Sequence, residues 1–285
     1  MRWRTGRRSS NVEDYRGRGV GGGLKFGGGA IIAMVIAYFL GVDPRLIMGL
    51  FGSAQQTQVE PPPPGGVQET GLPTDELAQF VAVVLADTED TWTEIFSSAG
   101  QQYVPPRLVL FEGQVQSACG VAGASAGPFY CPADQKAYID LAFYDELRRR
   151  FQAPGDFAQA YVVAHEIGHH VQNLLGTAGQ VHERRQRVGE REANQLSVHL
   201  ELQADCYAGV WANRANRARQ IIEQGDVEEA LTAAAAVGDD TIQKRSQGQV
   251  VPESFTHGSA QQRMQWFQRG LKSGSPDQCN TFAGV

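Results

Sequence analysis

The sequence is short of the features that would place it in several common classes. Its four cysteines, at 119, 131, 206 and 279, include no Cys-x-x-Cys pair, which argues against a structural zinc finger. No segment repeats, so a solenoid or propeller is not expected. Basic charge is scarce beyond the amino-terminal end: residues 1–25 carry seven Arg or Lys against Glu13 and Asp14, leaving 18 basic and 29 acidic residues in the rest. A phosphate-binding domain needs a basic face, so this acidic body excludes nucleic acid as the principal partner. What remains is 285 residues, 42% hydrophobic and 20% charged, enough to bury a core without depending on cross-links.

The amino-terminal part reads as topology. A basic head at 1–25 precedes Phe26 to Val42, 17 residues without a charge. As a helix this run would reach about 25 Å, the short end of a membrane span. Asp43-Pro44-Arg45 ends it, and Leu46 to Phe51 extends an anchor over 26–51. Arg enrichment before the run predicts a cytoplasmic head and a body that crosses, giving a single-pass protein of the cytoplasmic membrane with its carboxyl-terminal domain on the extracytoplasmic side. A signal peptide cleaved near Gly52-Ser53-Ala54 is the alternative. Residues 52–73, with four prolines at 61–64, form a semi-rigid linker.

The folded domain spans 74–285, and Thr74 is the expected cap of its first helix, whose bulky residues Leu77, Phe80, Val81, Val84, Leu85, Trp92, Ile95 and Phe96 recur at helical spacing. Leu108 to Phe111 and Ala137 to Leu141 read as strands of a small sheet. Lys136 to Leu141 is either an ordinary buried strand or an edge that binds an extended peptide. From Asp156 the chain is mostly helical, at about 156–175, 185–220, 226–237 and 258–271.

The chemistry is concentrated in His165-Glu166-Ile167-Gly168-His169. Residues four apart on a helix share a face, so His165 and His169 can offer ring nitrogens to one metal. Glu166, one step round, is placed to take a proton from water. One zinc ion suits the set, because it accepts imidazole and carboxylate ligands and leaves a corner open. Downstream, Glu201 and Asp205 stand four apart beside the apolar stripe Leu196, Leu200, Tyr207, Trp211. The economical assignment makes Glu201 the third ligand and Asp205 the acceptor that orients His165. The alternatives are a solvated acidic face, or His199 as the third ligand. Gln172 and Leu175 stand where the extended metzincin pattern requires Gly and His, so that pattern fails. His170 is off the ligand face and reads as packing, and His182 as surface.

His165 to His169 followed by Glu201-Leu-Gln-Ala-Asp205 resembles the gluzincin pattern. Together with Gly127-Pro-Phe-Tyr-Cys-Pro-Ala-Asp134 and Phe255-Thr-His-Gly258, it resembles the bacterial neutral zinc metallopeptidase family often called YpfJ-like, over nearly the whole chain. The resemblance implies an α+β, zincin-like metalloprotease domain, mostly helical with a small sheet and preceded by one transmembrane helix. It also implies His257 as a donor to the oxyanion and Arg263 as the partner of a site carboxylate, by similarity to the late His-Pro…Arg element of membrane-bound gluzincin proteases, with Gly258 in place of the proline. The four cysteines allow three pairings. The preferred one joins Cys119 to Cys131 and Cys206 to Cys279, against four buried thiols as the alternative. The expected activity is hydrolysis of a peptide or protein substrate, with the lipid bilayer as second partner. The opposing expectation is a catalytically silent, membrane-tethered zinc scaffold for another envelope protein.

Overall fold

The computed structural model describes residues 1–17, 75–123 and 127–283. The expected anchor and linker fall outside them, and among the described residues no helix is long and apolar enough to cross a membrane. The architecture is α+β, mostly helical with small sheets.

Helix α1, Glu76–Ser98, is capped by Asp75, whose side chain accepts from the Ala78 amide at 2.9 Å. Thr74, the expected cap, precedes it and lies outside the described residues. The spacing of bulky residues predicts one buried stripe, yet Phe80 through Glu89 are buried without a break. The extra cover comes from residues 1–16, which the sequence reading separates from the domain and the structure builds into it. Met1–Arg16 and Thr70–Val285 form one compact unit. Trp3 is buried edge-to-face on Phe80 at 5.4 Å, and the Ser9 amide donates to Ala82 O at 2.9 Å. Strand β1, Val12–Asp14, then pairs in parallel with β2, Arg107–Phe111, matching Val12 to Leu108 and Asp14 to Leu110.

The main sheet continues from β2 to β6, Lys136–Asp140, in parallel, and from β6 to β5, Phe129–Cys131, antiparallel. Because β6 lies between β2 and β5 and is paired on both sides over Lys136 to Tyr138, of its two expected readings the ordinary buried strand holds and the peptide-binding edge does not. The edge on this side is β5. Strands β3, Gln114–Ser117, and β4, Gly120–Gly123, form a separate hairpin. A disulfide joins Cys119, just before β4, to Cys131 in β5.

Helix α2, Ala142–Arg149, leads to α3, Asp156–Leu174. Asp156 is the first helical residue of α3, and Gly155 holds the cap position at φ 118°. The helix expected at 185–220 is α5, Glu190–Arg219, and a short helix that was not expected, α4, Thr177–Arg185, precedes it. Helices α6, Asp226–Ala236, α7, Asp239–Gln247, and α8, Ala260–Ser273, complete the fold. A second disulfide ties Cys279 to Cys206 in α5. Phe157 of α3 stacks on Trp211 of α5, and Tyr161 meets Phe267 of α8 edge-to-face, all four rings fully buried.

Two close approaches set the site. A Cβ on Gly168 of α3 would come 2.9 Å from Ala204 O, so only glycine lets α3 and α5 touch beside the His pair. Gly209 and Gly270 face each other's helices, and a Cβ on either would collide with backbone, Gly209 against Phe267 O and Gly270 against Cys206 O. Without side chains there, α8 lies directly on α5 and carries Arg263 to Asp205.

Candidate metal centre

On α3, the side chains of His165 and His169 leave the helix one turn apart with ring centroids 4.8 Å from each other. Glu201, from α5, faces both: its carboxylate oxygens lie 3.2 Å from His165 Nε2 and 3.4 Å from His169 Nε2. Two ligands about 2.05 Å from a tetrahedral centre are roughly 3.3 Å apart, so each imidazole stands at a zinc-compatible distance from a Glu201 oxygen. The three ligand atoms lie within 4.8 Å of one another.

The far side of each imidazole is also held. His165 Nδ1 donates to Asp205 Oδ1 at 2.8 Å, and His169 Nδ1 donates to Gln172 Oε1 at 2.9 Å. With both Nδ1 atoms used as donors, the Nε2 lone pairs point at the gap shared with Glu201, as ligation needs. Gln172 is oriented in turn, because its amide donates to Leu200 O at 2.7 Å and to Gln203 Oε1 at 3.1 Å. In the sequence Gln172 counts only against a metzincin pattern; in the structure it accepts from His169 Nδ1 and holds that ring.

Asp205 is fully buried and accepts from four donors. Arg263 reaches it with Nε at 2.8 Å and Nη2 at 2.9 Å, and Tyr161 adds its hydroxyl beside His165 Nδ1. The pairing of Arg263 with a site carboxylate is therefore present. Burial alone would push the Asp205 carboxyl up, but Arg263 and His165 outweigh it and hold it below the usual range. Burial likewise disfavours charge on His165, and Asp205 with Glu201 overcomes this to raise the ring to about 10. The Glu201 carboxyl is desolvated as well, yet His169 and His165 draw it down.

Glu166 is buried at 7% exposure, and among the described residues no group hydrogen-bonds its carboxylate. Burial raises its pKa, against the pull of His165 and His169. His257 lines the same cleft, its Nδ1 3.2 Å from Asp239 Oδ1. Asp239 also accepts the backbone amides of Thr256, His257 and Gly258, which pins this loop to the start of α7. Gly258 has φ +91°, which proline cannot adopt, so the absence of the related element's proline follows from the local backbone. The Asp239 hydrogen bond, more than burial opposes it, raises the His257 pKa.

The cleft holds about 1130 Å³. Phe129, Tyr130, Phe143, Phe151 and Val162 supply its apolar wall, next to His165 and Glu166. His170 points away from the ligands: its Nε2 donates to Val104 O at 2.7 Å, leaving Nδ1 to accept from Tyr130 of β5 at 3.0 Å. It fastens the edge strand to the metal helix. His199 stands apart from the ligand group, its ring against Phe282, and is not the third donor. His182 lines the cleft and bonds Gln186.

A second set of carboxylates, Asp156, Asp226 and Glu229, also lies within 4.8 Å. It offers no imidazole, and the Met1 amino group sits 2.7 Å from Asp156 Oδ1.

Residues 1–282 match the family described as "Putative neutral zinc metallopeptidase". Among curated proteins, the chain is 47% identical to Uncharacterized protein YpfJ of Escherichia coli K12 over 99% of both chains. It is 40% identical to an uncharacterized protein of Mycobacterium tuberculosis H37Rv, over 87% of this chain and 86% of that one. No solved structure matches.

Proposed function

The chain belongs to this neutral zinc metallopeptidase family, and from that premise we propose that it hydrolyses peptide bonds at the cleft between α3, α5 and β5. The carrying observation is the triangle of His165, His169 and Glu201, closed at zinc spacing and backed on both imidazoles, with an unbonded Glu166 beside it. Those three residues would hold a zinc ion, which when bound would supply Lewis acidity to the scissile carbonyl and to the attacking water.

The rest belongs to the protein. Glu166 accepts a proton on its carboxylate as water attacks, then returns it to the departing amine nitrogen. Burial favours the protonated intermediate form of that carboxyl. His257, held by Asp239, donates to the oxyanion. Asp205 and Gln172 keep the two rings from turning, and Arg263 offsets the buried charge of Asp205. The aromatic wall of the cleft receives an apolar side chain of the substrate and keeps bulk water out. Two disulfides support a site of action in an oxidising compartment.

The test is Glu166→Gln in the full chain, assayed for zinc content and for cleavage of a peptide library. Zinc should remain at one ion per chain while cleavage falls about 10²–10⁴-fold. A variant that cleaves as fast as the parent removes Glu166 from the reaction, and zinc without cleavage by the parent favours the scaffold.

A further inference from the structure

We propose that residues 1–16 and the metallopeptidase domain occupy one side of any membrane, so that no single span lying between them can separate the two. The basic head looks topogenic in the sequence because Arg clusters before an apolar run. In the structure Arg2, Arg4, Arg7 and Arg16 each have an acidic partner on the body. Arg2 meets Glu223, Arg4 meets Glu76, and Arg7 meets Glu89 and Asp90. Arg16 bridges Asp14 and Asp75. The opposite charges of head and body are complementary surfaces of one unit.

The contacts are those of an integral element. Ser9 is fully buried, its hydroxyl donating to the buried Glu89, which also accepts from Asn11 and Arg7. Backbone bonds continue from Arg2 N to Ile221 O at 2.8 Å through to Tyr15 N to Leu110 O at 2.8 Å. Taking the arm away would uncover Phe80 and Val83 and bare one edge of β2.

The geometry of the two ends is decisive. Arg16 Nη2 donates to Asp75 Oδ2 at 2.6 Å, so the chain leaves and rejoins the domain at one place. A single crossing would put about 30 Å of hydrocarbon between those residues. Cleavage near residue 54 would equally remove β1 and Trp3. Arg16 and Asp75 therefore lie on the same side of any bilayer.

Single cysteines at two exposed positions test this: Arg4→Cys on the arm and Arg187→Cys on the body, in the full chain expressed in a bacterial host. A membrane-impermeant maleimide is applied to intact spheroplasts and again after lysis, with the parent chain as background. Both cysteines should become labelled at the same step, and the mature protein should retain residues 1–16. Labelling of one before lysis and the other only after it overturns the proposal. So does a folded, zinc-loaded mature chain that has lost its first 54 residues. Neither outcome depends on peptidase activity.

Discussion

Asp205 and Glu89 are both buried carboxylates that gather several donors, and they serve different ends. Around Asp205 the donors come from α3 and α8, and the result is the orientation of the His165 ring at the candidate metal site. Around Glu89 the donors Arg7, Ser9 and Asn11 come from the amino-terminal arm, and the result is attachment of β1 to α1. Asp205 faces a buried, permanently charged guanidinium within a network that also holds His165. Glu89 faces a half-exposed Arg7 and two neutral donors. Similar hydrogen-bond chemistry is thus expected to couple to metal binding in one region and only to stability in the other.

The largest expected effect separates them. Asp205→Asn should lower zinc affinity about 10–100-fold, because the amide holds the His165 ring less firmly. It should also cost about 3–5 kcal/mol, since Arg263 is left buried without a counter-charge. That is a large part of the ~5–15 kcal/mol a domain possesses. The double variant Asp205→Asn, Arg263→Gln removes the orphaned charge and should recover stability without recovering zinc affinity. Zinc competition titration and denaturant unfolding measure the two separately. If the double variant regains both, Asp205 stabilises the fold and does not position His165.

Glu89→Gln is the counterpart. It keeps one acceptor oxygen and loses the charge that Arg7, Ser9 and Asn11 share, for an expected loss of about 1–3 kcal/mol. Amide exchange should rise across residues 9–15, while zinc affinity stays within twofold of the parent. A fall in zinc affinity like that of Asp205→Asn would erase the distinction between the two regions.

These regions were also unequally legible in the sequence. His165, His169, Glu201 and Asp205 each belong to a pair four apart, and helical periodicity alone puts each pair on one face. Gly168, which permits the helices to touch, sits inside the same short motif. Arg263 is 58 positions from Asp205, beyond the reach of spacing arguments, and only the resemblance named it. Gln172 was hidden because a neutral amide carries no metal-ligand signature, although its place one turn past His169 was the available signal. The arm misled because two physical readings share one pattern: basic residues before an apolar run are both a topogenic signal and a surface complementary to an acidic body. The partners Glu76, Glu89 and Glu223 are distant in sequence, so only the fold distinguishes the readings. The short helices α2, α4 and α7 carry little periodic signal, because their sequences are strongly polar and α2 buries two residues, α4 one and α7 none.

The smallest effect concerns the junction where arm and body meet. Arg16 holds the carboxyls of Asp14 and Asp75 below the usual carboxylate range, through its hydrogen bonds first and against some burial. A carboxyl whose pKa is lower in the folded state than in the unfolded chain adds stability that is fully present above the unfolded value and lost as pH falls through the folded one. Acidification from about pH 5 should therefore weaken the parent more than Arg16→Ala, and the gap between their unfolding free energies should close toward pH 2. At neutral pH that gap should be modest, about 1 kcal/mol or less for each partly exposed pair, and smaller still in 1 M salt. Unfolding curves at stepped pH measure it. A gap that stayed constant from pH 7 to pH 2 would mean that Arg16 stabilises the junction by packing its stem and that the ion pairs with Asp14 and Asp75 do not join arm to domain.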